Sequence, residues 1–74
     1  MPSLPNVSGR GVVKAFGKDG WEFVRQKGSH MIMVKPGHIA SLSIPDHKEI
    51  AKGTLRSLIR SSGLSVEEFI ELLG

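Results

Sequence analysis

Cysteine is absent from this sequence, which excludes disulfides and thiolate metal sites alike. Nothing covalent can staple a chain of 74 residues, and a reducing cytoplasm suits it. Long apolar runs are missing too. The longest, Met31 to Val34, is far too short to cross a bilayer, and "MPSLPNVSG" lacks the basic start and apolar stretch of a signal peptide. A soluble, cytoplasmic protein is expected. Tyrosine is absent and aromatic residues make up only 5% of the chain, so Phe16, Trp21, Phe23 and Phe69 are all expected to pack in the core rather than stack on a ligand. The histidines, His30, His38 and His47, lack the close spacing of a helical zinc motif. No Ser-His-Asp or Cys-His pattern, phosphate-binding glycine loop or carboxylate pair beside basic residues is visible either. Most enzyme classes fall away, and neither metal nor cofactor is expected.

What the chain does hold is enough apolar residue, 39% against 23% charged, to fold as one small globular domain. A domain of this size buries only roughly 60 to 65% of the surface of its unfolded chain, so its core must be economical. Charge is divided unevenly. Residues 1–65 carry all 10 Lys and Arg against Asp19, Glu22, Asp46 and Glu49, while the last stretch carries Glu67, Glu68 and Glu71. A basic body with an acidic tail favours a polyanionic partner such as nucleic acid.

Residues 1–7, with Pro2 and Pro5, read as an extended lead-in to a single domain over 8–74. Ser8 is a cap for a helix to about Lys18, with Val12, Ala15 and Phe16 on one face and Gly20 at the stop. "WEFVRQK" alternates as a strand, with Trp21 and Phe23 on one parity. "SHMIMVK" is a second strand, turned by "KPGH" into a third, "IASLSI", that ends at Pro45. Leu55, Leu58 and Ile59 stripe a helix between Lys52 and Ser62, closed by Gly63. Ser65 and Glu68 form a capping-box pair ahead of Phe69, Leu72 and Leu73. The expected fold is α+β: a three-stranded antiparallel meander covered on one face by helices, in the order α-β-β-β-α plus a short C-terminal helix, like a double-stranded-RNA-binding domain. The other sheet face stays open. If Ile32 and Val34 face the helices, Met31 and Met33 line that open face, and His30 points inward unless it lies beyond the helices or a bulge re-aims it.

Arg10, Lys14 and Lys18 are spaced by four, as are Lys52, Arg56 and Arg60, so each trio lines one helix face. Such a face is either simply solvated or a phosphate contact. With Arg25 and Lys27 on the first strand the balance moves toward phosphate, where these residues position a nucleic acid without reading its sequence.

The segment "GWEFVRQKGSHMIMV" resembles the HicA (YcfA-like) mRNA interferase toxins, whose hallmark is a glycine-serine-histidine motif behind a basic lead-in and ahead of an apolar strand. "IPDHKEIAKGTLRSLIRSSGLSVEEFIELL" is similar to that family's second half, so the resemblance spans Val12 to Leu73. The resemblance implies a type II toxin, a ribosome-independent endonuclease acting on mRNA and inhibited by a cognate HicB antitoxin. It places the catalytic histidine at His30, with Gly28 and Ser29 completing the motif and Arg25 and Lys27 matching its basic lead-in. His47 falls on the family's proline-x-histidine segment. The lead-in "MPSLPNV" and the hairpin "KPGHIASL" depart from the family pattern, which bears on substrate preference.

The chemistry fits these residue types. An imidazole near neutral pH can take the proton of a ribose 2′-hydroxyl or give one to a leaving 5′-oxygen. Arg25 or Lys27 can stabilise charge on the phosphoryl oxygens, Gly28 lets the backbone come close, and Ser29 can bond a phosphate or orient the ring. The RNA-binding set expected on these grounds is Arg25, Lys27, Gly28, Ser29, Lys52 and Arg56. Two other readings stay open at this point: a non-catalytic RNA-binding module, and a degenerate toxin that survives as a protein-interaction domain, with His30 a packed polar residue at a strand start.

Overall fold

The computed structural model describes residues 3–74; Met1 and Pro2 of the expected lead-in lie outside the described residues. The Ser8 side chain accepts a hydrogen bond from the Gly11 N–H at 3.0 Å, satisfying one of the amides that a helix start leaves unpaired. Helix α1, Gly9–Lys18, then buries Val12, Ala15 and Phe16 along one face. Its end is a Schellman motif. Gly20 adopts φ 96°, the Trp21 N–H donates to the Phe16 carbonyl at 3.1 Å, and the Gly20 N–H donates to that of Gly17 at 3.1 Å. The hydrophobic contact that accompanies such a stop is present as well, with the Phe16 and Trp21 rings edge-on at 6.3 Å between centroids.

Strands β1 (Glu22–Lys27), β2 (His30–Val34) and β3 (Leu42–Pro45) follow as an antiparallel meander in the order β1-β2-β3. The β2–β3 turn is built by Pro36 and by Gly37 at φ 81°, with the His38 N–H donating to the Lys35 carbonyl at 3.0 Å; proline followed by a positive-φ glycine is the type II pattern. The third strand starts at Leu42, not at Ile39 as the sequence predicts. The His38 Nδ1 accepts the Ala40 N–H at 3.3 Å, which holds this stretch in a bend and takes a backbone donor that a ladder would need.

Helices α2 (Lys52–Ser62) and α3 (Val66–Leu73) complete the order α-β-β-β-α-α, and the fold is the expected α+β. Gly63 closes α2 at φ 84°, and the Ser65–Glu68 capping box opens α3 with both of its reciprocal bonds formed. Leu55, Leu58 and Ile59 from α2, Phe69 from α3 and Phe16 from α1 share one core with Met31, Met33, Leu42 and Ile44 of the sheet. Phe16 and Phe69 pack 5.1 Å apart. All three helices therefore lie against the same sheet face, and the other face is bare.

The orientation of β2 reverses the sequence expectation. Met31 and Met33 are buried, whereas Val34 is 39% exposed and His30 is exposed. Both parities of this strand are apolar, so hydrophobicity alone does not decide between them. The histidine does: burying an imidazole without partners costs about 1–3 kcal/mol, and the methionine parity carries no such group. Phe23 also departs from expectation, being 51% exposed on the edge strand, while Phe16, Trp21 and Phe69 are in the core as expected.

Candidate functional site

The register places three columns of side chains on the bare face. His30, Ile32 and Val34 form the middle column. Lys27 pairs with His30, Arg25 with Ile32 and Glu22 with Val34; on the other side Pro45 pairs with His30 and Ser43 with Ile32. Directly opposed residues in an antiparallel pair project to the same side of the sheet. Two cations of β1, Lys27 and Arg25, are thus neighbours of the histidine on one open surface, and Arg25, Lys27 and His30 are all exposed.

A β-bulge makes this arrangement possible. The register shifts between Phe23 and Arg25, leaving Val24 as the extra residue. In a regular strand Phe23, Arg25 and Lys27 would share a face. With Val24 set aside, Phe23 turns toward α1, where with Arg10, Val13, Gln26 and Met31 it lines a cleft of about 250 Å³. Arg25 and Lys27 turn the other way, to His30.

The hairpin that presents the histidine is short and specific. Only Gly28 and Ser29 lie between the Lys27–His30 pair, with Gly28 at φ 61° and no positive φ at Ser29. This is the type II′ requirement of glycine at the first central position. The glycine of the motif is accounted for by the turn. A small network fastens it from below: Gln26 Nε2 donates to the Gly28 carbonyl at 3.3 Å and to Asp46 Oδ2 at 3.2 Å. Arg10 Nε stands 3.5 Å from Asp46 Oδ1, and the Asp46 N–H donates to the Ser29 carbonyl at 2.7 Å. Helix α1 is held to the same corner by the Gly9 N–H, which donates to the His47 carbonyl at 2.9 Å. A side chain at Gly9 has no space there, since its Cβ would lie 2.0 Å from the Pro45 oxygen.

Of the residues singled out from the sequence, Arg25, Lys27, Gly28, Ser29 and His30 come together at this end of the sheet. Lys52 and Arg56 do not join them: α2 lies on the helix-covered side. Lys52 Nζ donates to the Asn6 side chain at 2.8 Å and to the Leu4 carbonyl at 2.6 Å, tying down the lead-in. Arg56 lines a separate cleft of about 270 Å³ with Arg60, Ile59, Leu64, Ser65 and Val66. Gln26 and Asp46 were not legible as site residues, because only the turn geometry connects them to His30. Among the described residues no group of three or more histidine, aspartate or glutamate side chains gathers to hold a metal ion.

Comparison with known proteins adds a family to this geometry. No curated protein matches the chain. The family model described as HicA toxin of bacterial toxin-antitoxin matches residues 9–64, a span that includes the whole sheet and the hairpin and stops ahead of α3. That is most of the chain. A glycine-serine hairpin holding a histidine on the open face of an α-β-β-β-α scaffold stands inside the matched span, and the chain belongs to the HicA family, a toxin of a bacterial toxin–antitoxin pair.

Proposed function

We propose that the protein is an endoribonuclease of the mRNA interferase type, with His30 as its proton-transfer group and no metal in the reaction. The reading is carried by one observation: His30 shares an exposed sheet face with Lys27, its pairing partner, and with Arg25, which pairs with Ile32. The chemistry such a trio performs is internal transesterification. A ribose 2′-oxygen attacks the adjacent phosphorus, the bond from phosphorus to the 5′-oxygen breaks, and the products are a 2′,3′-cyclic phosphate and a free 5′-hydroxyl. The 2′-hydroxyl proton leaves to a base and the 5′-oxygen gains one from an acid. His30 serves one of these two transfers, worth about 10²- to 10⁴-fold in rate. Lys27, the pairing partner of His30, offsets the negative charge that builds on the phosphoryl oxygens, and Arg25, two positions along, holds the neighbouring phosphate. Ser29, beside His30 in the turn, offers a hydroxyl to the same phosphate.

Membership of a toxin–antitoxin pair implies a protein that silences this activity, and we propose a HicB-type antitoxin in that role. The exposed Phe23 and Val24 on the free edge of β1 suit contact with such a partner. The functional test is cleavage of single-stranded RNA by the purified protein. Cutting persists in EDTA and drops by at least about 10²-fold in His30→Ala with the circular dichroism spectrum unchanged. A His30→Ala protein that cuts as fast as the parent overturns the assignment, and RNA binding without cutting by the parent leaves a binding module.

A further inference from the structure

The bare sheet face holds more than a histidine and two cations, and its three columns differ in chemistry. The β1 column is charged, Lys27 then Arg25, and is closed by the acid Glu22. The β2 column continues past His30 as Ile32 and Val34, aliphatic groups on a face that no helix covers. The β3 column offers Ser43 opposite Ile32, exposed and the one hydroxyl among the paired positions of this face. We infer that this face is a binding track for one unpaired RNA strand, with the base next to the reacting phosphate lying on Ile32 and Val34 and its edge read by Ser43.

This inference rests on the proposed nuclease reading and adds a base-binding surface and a specificity residue to it. Three observations carry it. The first is width: strands about 4.8 Å apart make a face only about 10 Å across from β1 to β3, the scale of a single nucleotide. The second is the aliphatic middle column. In a duplex the base faces are stacked away, so the half-buried Ile32 and the exposed Val34 gain contact only from a base already turned out of a helix. The third is polarity across the face. Lys27 and Arg25 are two positions of one strand apart once Val24 is set aside, about 7 Å, so they can follow successive phosphates while Glu22 repels a third. With phosphates on β1, the base extends across β2 toward β3, where Ser43 can donate or accept at its edge. The track has no Phe, Tyr or Trp among its paired positions, so stacking alone gives little discrimination and the serine hydroxyl carries the base preference.

The binding arm uses the full chain carrying His30→Ala, which binds without cutting, and a fluorescein-labelled short oligoribonucleotide of mixed sequence. Three results are expected: the unpaired strand binds more than about ten-fold tighter than the same strand annealed to its complement; Ile32→Asn weakens binding by about five-fold or more with the salt dependence unchanged; and Lys27→Ala lowers the salt slope by about one. In the cutting arm, Ser43→Ala in the otherwise unaltered protein redistributes cleavage positions, read by sequencing product ends, while leaving the thermal melt in place. Equal affinity for duplex, an Ile32→Asn protein that binds like its parent, or an unchanged cleavage pattern in Ser43→Ala overturns the inference; if the aliphatic column serves a protein partner instead, the second of these is the result. The binding arm does not depend on His30, so failure of the track and failure of the catalytic assignment give different outcomes.

Discussion

At the scale of single residues, the glycine-serine-histidine motif divides its work. Gly28 supplies a positive φ, Ser29 completes the loop, and His30 begins the strand with its ring on the open face. Nothing lies within 4 Å of where a Cβ at Gly28 would stand, so a substitution there meets no steric clash; it is penalised by backbone conformation alone. Gly28→Ala is therefore expected to lose about 1–3 kcal/mol of stability, read as a lowered denaturation midpoint. Its residual folded fraction should cut RNA more slowly, because the chain relieves strain by rotating the turn that carries His30. A midpoint equal to the parent's would mean that the turn has another low-energy form. His30 itself was legible from sequence as a motif position, but its direction was not. Parity counted from Ile32 and Val34 pointed it inward, and the cost of burying an unpaired imidazole turns it outward.

Among the elements, the helices were the more legible part. Ser8, Gly63, and Ser65 with Glu68 each act at the position their capping chemistry predicts, and α2 occupies the span read from its Leu55, Leu58 and Ile59 stripe. The strands were read in the right order, with the face of β2 reversed. The turn of Arg25 and Lys27 to the face opposite Phe23 was not legible, because no local signal announces Val24 as a bulged position. The third strand was read too long for a related reason: the His38 side chain, not the backbone, determines where pairing starts. What positions the site also spans elements, since Asp46 after β3 joins Gln26 on β1 and Arg10 on α1. Loss of this network in Asp46→Ala removes the support beneath the Gly28–Ser29 turn, and displacement of a reacting group by about 1 Å can cost on the order of 100-fold in rate. The expected signature is a fall in kcat with KM nearly unchanged. Asp46→Asn, which keeps an oxygen acceptor toward Gln26, should recover much of it. A variant whose KM rises while kcat holds would place Asp46 in RNA binding rather than in support of the turn.

Across the whole molecule, the two layers separate chemistry from charge. The open sheet face carries His30 with Arg25 and Lys27, while Arg56 and Arg60 line their cleft on the helical layer. The sequence placed Lys52 and Arg56 in one RNA-binding set with the sheet residues because spacing along a helix says nothing about which side of a sheet that helix covers. Lys52 is occupied with the lead-in, so its replacement mixes a charge effect with loss of the bonds to Leu4 and Asn6. Arg56 is the cleaner probe. We propose that Arg56 contributes through the field of the basic body, drawing RNA in without touching the nucleotides at the reaction centre. Exposed like charges act over roughly 10 Å at moderate salt, so their effect appears in the association rate and fades as salt is raised. Arg56→Glu is expected to slow RNA association several-fold at low salt and scarcely at all at high salt, with single-turnover cleavage of saturating RNA unchanged. Stopped-flow fluorescence at two salt concentrations reads the first part and a quenched cleavage assay the second. A fall in the saturated cleavage rate would bring the helical layer into direct contact with the reacting strand, and an association rate unaffected at low salt would confine RNA recognition to the sheet.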